Sequence, residues 1–240
     1  MFGYFSDNEL PLQENLLKDF ISINDPSDIA YQIAVKWVED YSIKDFNQID
    51  KSVKNLFSGF VADIYFKTVR EAIKSADPNH LYLGSRLHAS AKNVNEVLAA
   101  AEKYNDIISI NYYGHWALTE KHAEQYNKLK KPFLITEFYT KAEDTKMPNL
   151  SGAGWLVKTQ KDRGLHYQNF CITLLRNKNC VGWHWFRYQD NDPNDKSGDA
   201  SNNDSNKGIV DTQYNEYKDL TERMKQLNES AFKIIKYFDK

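Results

Sequence analysis

The sequence predicts an α/β fold in which five short parallel strands alternate with helices. Short apolar runs rich in β-branched and aromatic residues recur along the chain, separated by longer stretches with apolar residues at helical spacing. Each predicted strand also gives way to polar or aromatic residues at its end. Such alternation means right-handed βα units and a parallel sheet whose strands have their carboxyl ends on one face. At 240 residues the chain can form one sizeable domain or two small ones.

Composition and cysteine count exclude several classes of protein. Lysine and arginine number 31 against 33 acidic residues, and this balance argues against a general nucleic-acid or anionic-membrane binder. The chain has no run of about 20 apolar residues, and its first residues lack the regions of a secretory signal. Cys171 and Cys180 are not spaced as metal ligands and are interpreted as buried thiols. We therefore expect no nucleic acid, membrane, metal or cofactor to bind.

The first third of the chain carries one strand and a long helical region. Residues 2–5 are predicted to form the first strand, which leads into the polar run Ser6-Asp7-Asn8-Glu9. Residues 10–26 are predicted to be an irregular loop with room for a short helix. Helices are predicted over about 29–41 and 47–75, where apolar residues repeat at helical spacing. These apolar stripes are interpreted as core.

Strands and helices alternate regularly through the rest of the chain. Further strands are predicted over 81–88, 106–114, 132–140 and 181–188. Further helices are predicted over about 94–103, 119–130, 162–177 and 214–238. A long glycine-bearing loop over 141–155 suits a wall of a binding site.

The segment from Asp190 to Asp204 is rich in Asp, Asn and Ser. Such a composition raises a calcium hypothesis, but the acidic residues lack the ordered spacing of a known calcium loop. A solvated loop beside the substrate is the favoured interpretation.

Glu137 occupies the most informative position in the sequence. It stands near the end of the strand 132–140, whose interior is apolar, and no lysine or arginine lies directly beside it. Parallel α/β folds carry their chemistry at the carboxyl ends of strands. The alternative is that Glu137 is a solvated surface charge. The residues at the other strand ends distinguish between these two interpretations.

Those strand ends carry the groups that glycosidic bond cleavage needs. One carboxylic acid must protonate the leaving oxygen, and a second carboxylate must attack the sugar carbon or activate a water. Parallel strands would bring two carboxylates, hydrogen-bonding partners and aromatic rings around one cleft. These residues are Glu9, Arg86, His88, Tyr112, His115, Glu137, Trp183 and Trp185.

Three of these stretches resemble a known family. Residues 3–9 (GYFSDNE), 133–138 (FLITEF) and 182–186 (GWHWF) resemble strands four, seven and eight of the clan A (β/α)8 glycoside hydrolases. The tail, with Asp190-Asn191-Asp192 and the run 206–211, is most similar to agarase-type members. The resemblance implies an α/β fold that is a partial (β/α)8 TIM barrel, approximately strands four to eight with their helices. It also implies a poly- or oligosaccharide substrate and a secreted or periplasmic location.

The resemblance further implies a role for individual residues in a retaining, two-step displacement. Glu137 would be the nucleophile and Glu9 the general acid/base, with Asn8 contacting the sugar 2-hydroxyl. Tyr112 or Tyr113 would be hydrogen-bonded to Glu137, but not both, because neighbours on a strand face opposite ways. Further sugar contacts are expected at Arg86, His88, His115, Tyr139, Trp183 and Trp185. Trp185 is favoured over Trp183 as the platform because it lies nearer the carboxyl end of its strand.

The sequence departs from the family in one respect. If residues 2–9 correspond to strand four, residues 1–240 form a single barrel domain that lacks the first three βα units. The missing N-terminal barrel part is then an expected partner, because an incomplete barrel leaves two parallel edges exposed. Alternatively, residues 10–75 contribute packing that the pattern does not reveal.

Two other functions remain open at this stage. A non-catalytic, carbohydrate-binding remnant of such an enzyme would keep the aromatic platforms without turnover. An esterase is disfavoured because the sequence contains no Gly-x-Ser-x-Gly elbow.

Overall fold

The computed structural model describes residues 2–45, 49–195, 197 and 202–239. Its contacts divide the chain into two compact units, residues 1–110 and 111–240, and each is described by itself. A single domain over residues 1–240 stays a prediction. In the described ranges, no helix is both long enough and apolar enough to cross a bilayer.

Short parallel strands begin the first unit. The strands β1 (Gly3–Tyr4) and β2 (Leu81–Tyr82) pair in parallel, and single parallel bridges continue the ladder towards the strand ends. One of these bridges joins Asn8 to Arg86. The strand β3 (Ile108–Asn111) starts in this unit and ends at the first residue of the second. The predicted strands 2–5, 81–88 and 106–114 therefore exist, but their regular parts are shorter.

Helices cover these strands in the first unit. They are α1 (Leu16–Ser22), α2 (Ile29–Asp40), α3 (Lys51–Ala76) and α4 (Asn95–Tyr104), with a 3-10 turn at Ala91–Asn93. The side chain of Asp28 accepts two backbone N–H groups and so fixes the start of α2. The predicted start of the long helix near residue 47 lies outside the described residues.

The long helix α3 buries only part of its apolar surface. Phe57 and Phe66 are fully buried, and α3 packs closely on α4. By contrast, Leu56, Phe60 and Ile64 are 42%, 39% and 45% exposed. The prediction that the whole apolar stripe is core is therefore wrong for these three residues, and Phe60 and Ile64 line a groove beside α2 that is open to solvent.

The second unit contains the strand that ends in Glu137. This strand, β4 (Phe133–Glu137), is buried along its whole length and pairs in parallel with β7 (Cys180–Trp183). The register places Phe133 opposite Cys180 and Leu134 opposite Gly182, with an irregularity between the two pairs. The sheet order is β3-β4-β7. The predicted strands 132–140 and 181–188 are thus both confirmed as parallel strands, though with shorter bounds.

A small ribbon and three helices complete the second unit. The ribbon pairs β5 (Thr140–Ala142) with β6 (Trp155–Val157) in parallel. These two strands overlap the two ends of the segment 141–155, which was predicted to be a loop. Strands of three residues give too short a pattern for sequence reasoning to detect. The helices are α5 (Glu120–Asn127), α6 (Gln160–Leu175) and α7 (Lys218–Phe238).

The predicted fold class is confirmed at its coarser level. The protein is a mixed α/β structure in which parallel strands alternate with helices. Within the described residues the strands form three separate sheets and do not close into a barrel. The finer assignment, five units of a (β/α)8 barrel, is taken up below as part of a proposal.

Candidate active site

In the first unit, Glu9 is held in place by its own backbone. Its N–H donates to the carbonyl of Arg86 at 3.0 Å, directly after the parallel bridge between Asn8 and Arg86. Its φ of 56° lies in the left-handed region, which is sparsely populated by residues other than glycine. Unusual backbone geometry of this kind is often found at functional sites. The carboxylate is therefore presented from a fixed turn just beyond a strand end.

His88 is the partner of Glu9 in this unit. Its Nδ1 lies 3.3 Å from Oε2 of Glu9, and both side chains are about one-third exposed, at 31% and 30%. Burial lowers the pKa of His88, and Lys92 lowers it further, while Glu9 opposes both effects. A lowered pKa favours the neutral imidazole, whose Nδ1–H can donate to the carboxylate.

Lys92 is a buried cation that the sequence did not single out. It lies in the 3-10 turn after β2 and is only 7% exposed. Burial lowers its pKa, and the negative charge of Glu9 partly offsets that effect. A lysine in a short polar run usually lies on the surface, so nothing in the pattern distinguishes this one.

Arg86 makes an aromatic contact as well as its backbone contacts. Its guanidinium carbon lies 5.4 Å from the centre of the Phe5 ring. The structure thus brings together four predicted site residues of the first unit, namely Asn8, Glu9, Arg86 and His88.

In the second unit, Glu137 ends β4 and is 5% exposed. The phenol of Tyr113 donates to its Oε2, and the N–H of Tyr112 donates to its carbonyl at 2.8 Å. A phenol that donates to a carboxylate stabilises the ionised form, because hydrogen bonds to the charged state favour that state. The sequence left Tyr112 and Tyr113 open, and the structure selects Tyr113.

Tyr112 has a structural role instead. It is 1% exposed, and its hydroxyl lies 2.7 Å from Nδ1 of His122 and 3.4 Å from the Thr119 hydroxyl. Burial raises the pKa of Tyr112. The expectation that Tyr112 contacts sugar is therefore corrected, because strand alternation turns it into the core. The ring of His115 packs against Tyr112 at 5.0 Å.

The two tryptophans predicted as sugar platforms pack against α6. The indole of Trp183 donates to the hydroxyl of Tyr167, and the indole of Trp185 donates to the carbonyl of Lys207, each at 2.8 Å. The guanidinium of Arg163 lies 5.4 Å from the Trp185 ring. The Trp185 ring thus contacts α6 and this cation, and the preference for Trp185 as the platform stays a prediction.

Tyr139, a predicted site residue, connects Tyr113 to two residues that the sequence reasoning did not single out, Phe186 and Lys207. The ring of Tyr139 is edge-on to Tyr113 at 5.5 Å, and the ring of Phe186 lies 6.2 Å from Tyr139. The ammonium of Lys207, which is fully buried, lies 5.2 Å from the centre of the Phe186 ring. We call Glu137, Tyr113, Tyr139, Phe186 and Lys207 the Glu137 cluster. Phe186 lies three residues beyond the end of β7, so strand alternation gave no signal for it.

The calcium hypothesis for the loop 190–204 receives no structural support. Asp190 is buried and accepts the backbone N–H groups of Lys207 and Gly208 at 2.8 and 2.6 Å, so it serves to hold the following segment. Residues 196 and 198–201 of this loop lie outside the described residues. Among those described, no group of three or more His, Cys, Asp or Glu side chains is placed to hold a metal ion.

Comparison with known proteins places this chain beside agarases. No protein-family model matches it. Beta-agarase B from Vibrio sp. (strain JT0107) is 27% identical over 225 residues, which are 92% of this chain and 23% of that protein. Beta-agarase A from the same strain is 34% identical over 170 residues, or 68% of this chain and 16% of that protein.

Solved structures give the same result. The crystal structure of a protein named BpGH50 superposes with a TM-score of 0.89 and 40% identity, covering 99% of this chain and 51% of that one. An exo-beta-agarase superposes with a TM-score of 0.79 and 25% identity, covering 97% of this chain and 35% of that one. The chain thus has agarases as homologues, and it spans about half of the first of these structures and under a quarter of the curated relatives.

Proposed function

We propose that this chain carries the catalytic carboxylates of an agarase-type glycoside hydrolase that cleaves O-glycosyl bonds in a galactan such as agarose. The observation that carries the proposal is the pairing of Tyr113 with Glu137 at the end of β4, in a chain whose homologues are agarases. A carboxylate buried at a strand end and held by a phenol is suited to remain ionised and attack carbon.

The first chemical step forms a covalent glycosyl-enzyme. The carboxylate of Glu137 attacks the anomeric carbon while the bond from that carbon to the leaving oxygen breaks. Glu9, as the carboxylic acid, gives its proton to the departing oxygen, which leaves as an alcohol. The phenol of Tyr113 keeps one oxygen of Glu137 hydrogen-bonded, so the other oxygen is directed at the sugar.

The second step releases the sugar. Glu9, now a carboxylate, takes a proton from water, and the hydroxide attacks the anomeric carbon as the ester bond to Glu137 breaks. Two displacements at one carbon restore its original configuration, so the proposed mechanism is retaining. His88 and Lys92 flank Glu9 and stabilise its charge when it has lost the proton.

Substitution of the two carboxylates tests these roles against matched controls. Glu9→Gln is expected to lower turnover of agarose oligosaccharides about 10²–10⁴-fold, as for loss of a general acid, and Glu137→Gln to abolish it. Glu14→Gln and Glu143→Gln are the controls, since these glutamates pair with Lys51 and Lys158 on the surface. Full activity in either active-site variant would remove the role assigned to that residue.

The stereochemical outcome tests the mechanism separately from the residues. Proton NMR of the first product should show the anomer of the substrate, with the other anomer appearing only by mutarotation. With Glu137→Gly, added azide should yield a glycosyl azide of inverted configuration, and with Glu9→Ala one of retained configuration. Initial release of the opposite anomer by the wild-type protein would replace the retaining mechanism by an inverting one.

This chain covers about half of BpGH50. We propose that full activity requires a part equivalent to the other half. In the part of the chain that the structure describes, β7 has a sheet neighbour on one side only, and Val181 on it is 55% exposed. A groove of about 810 Å³ between β7, α6 and α7 adjoins it, lined by Val181, Phe232 and Ile235 among others. A further parallel strand would cover this edge, as barrel closure does.

A non-catalytic, carbohydrate-binding protein is the second candidate. The observation that favours it is that the chain covers only about half of BpGH50, to which it is 40% identical. Binding of agarose oligosaccharides without any turnover, alone or when co-expressed with the part of BpGH50 that this chain does not cover, would favour this candidate.

A further inference from the structure

Trp155 is unusual among the tryptophans of this protein. It is 47% exposed, whereas the other four are less exposed. An indole ring is large and apolar, and one that remains half in water usually does so where it meets a ligand or partner. Neither the predicted site residues nor the proposed mechanism uses it.

A second tryptophan supports the ring of Trp155. The indole of Trp116 stacks on it with the ring centres 5.9 Å apart and the planes 22° apart. At that separation the rings are offset, so Trp116 covers only part of Trp155. Trp116 is itself fixed, because His166 lies edge-on to it at 4.9 Å and its carbonyl accepts from the side chain of Asn169 at 2.9 Å.

The backbone under Trp155 is fixed as well. Trp155 is the first residue of β6 and lies opposite Thr140 in the ribbon. The loop that leads to it is held by Lys141, whose buried ammonium donates to the carbonyls of Ser151 and Gly152 at 2.7 and 3.2 Å. A half-exposed ring on a fixed backbone loses little conformational entropy when it binds a ligand.

The chain connects this pair of rings directly to the Glu137 cluster. Gly154, which precedes Trp155, packs so closely on Tyr139 that a Cβ there would lie 2.6 Å from the ring. Trp116 follows Tyr113 by three residues, so their Cα atoms are at most about 11 Å apart. Both tryptophans therefore lie next to residues that surround the proposed nucleophile.

We propose that the stacked pair Trp116–Trp155 is a carbohydrate-binding platform for a neutral galactan, one or a few sugar units away from the bond that is cleaved. A pyranose ring presents an apolar face of C–H groups that packs on an indole, and the remaining hydroxyls stay in water. The proposal rests on the proposed function. It adds an outer subsite that would hold a polymer but would not contact the shortest substrates.

Binding measured without turnover tests the platform. In a Glu137→Gln background, Trp155→Ala should weaken retention in an agarose affinity gel about tenfold, a loss of about 1.4 kcal/mol. Trp116→Ala should weaken it as well, because Trp155 loses its support. Tyr237→Ala is the control, since Tyr237 is a large exposed ring elsewhere in the same unit, at 70% exposure. Trp155→Phe, which keeps an aromatic face, should lose less.

A spectroscopic measurement guards against a general folding defect. Titration with an agarose-derived hexasaccharide should change the tryptophan fluorescence of the Glu137→Gln protein, and Trp155→Phe should lose most of that change. Retention of Trp155→Ala within twofold of its parent, or no retention of the parent protein, would overturn the platform.

The two proposals fail in different ways. Hydrolysis of agarose with no effect of Trp155→Ala on polymer or oligomer would leave the proposed function standing and remove the platform. Trp155-dependent binding with no turnover by the wild-type protein, even when co-expressed with the part of BpGH50 that this chain does not cover, would leave the platform standing and remove the proposed function.

Discussion

Replacing Arg163 with methionine is expected to destabilise the second unit strongly. This arginine is fully buried in α6, and its three donor groups each reach one acceptor. The acceptors are the carbonyls of Thr140 and Gly208, at 2.8 and 2.9 Å, and the side chain of Gln160, at 2.6 Å. Burial lowers the pKa of Arg163 to about 10, so the guanidinium is still protonated at neutral pH.

The magnitude follows from what the substitution leaves behind. Each buried acceptor that loses its donor costs about 1–3 kcal/mol, and some of that cost is relieved by relaxation. Removal of one partner from a buried charged network typically costs about 3–5 kcal/mol, and we expect a value in this range. The effect should reach the proposed site, because Arg163 contacts both Thr140, three residues after Glu137, and Trp185.

Urea denaturation followed by circular dichroism measures this loss. Arg176→Met is the matched control, because Arg176 is the C-cap of the same helix, is exposed, and has its guanidinium 5.7 Å from the centre of the Phe238 ring. Arg163→Lys should be intermediate, since one ammonium can keep the charge but cannot reach three separate acceptors. A loss below about 1 kcal/mol for Arg163→Met, similar to that of Arg176→Met, would refute the reasoning.

Three further predictions concern the site and its support. Tyr113→Phe should keep the unfolding free energy but lower kcat on agarose oligosaccharides. Tyr112→Phe should lower the unfolding free energy and leave kcat unchanged. Equal losses of kcat would contradict the assignment of Tyr113 as the partner of Glu137. Gly84→Ala should cost more than Gly114→Ala in urea denaturation. Both have positive φ, of 72° and 73°, but only Gly84 has an atom 2.1 Å from a new Cβ. Burial lowers the pKa of His166 to about 4. As pH falls, this histidine therefore takes up a proton in the unfolded chain before it does so in the folded protein. The free energy of unfolding should drop by about 3 kcal/mol between pH 6.5 and 4, and His166→Gln should reduce that drop.

Strand and helix order could be predicted from the sequence because it depends on local periodicity. In the buried strand that ends in Glu137, the four preceding residues are all apolar or β-branched, a pattern that favours a strand over a helix. The helices α2 and α6 begin at side chains that accept backbone N–H groups, so their starts were predicted to within about two residues. The ribbon β5–β6 was missed because each of its strands has only three residues.

The residues at strand ends were harder to assign than the strands. The alternation rule correctly allowed only one of Tyr112 and Tyr113 beside Glu137, but which one depends on the register of β3, and no single sequence gives that register. Lys207 was missed for a different reason. A lysine among Asn and Gly residues has the composition of a surface loop, and only the tertiary structure places it against the Phe186 ring.

Trp185 illustrates where periodicity stops being informative. The strand β7 ends at Trp183, so Trp185 lies two residues beyond it, where the backbone no longer has to alternate. The sequence argument favoured Trp185 because it placed this residue near the carboxyl end of the strand. Trp185 lies beyond the strand, so strand alternation does not apply to it. The proposed platform rests on tertiary contacts and not on strand periodicity. Trp116 and Trp155 are distinguished by the exposure of Trp155 and by their mutual stacking, which are tertiary properties; Trp116 lies in the loop after Tyr113, and Trp155 is the first residue of β6. Strand periodicity thus located the carboxylates proposed as catalytic, whereas the residues proposed to hold the polymer could be identified only from packing.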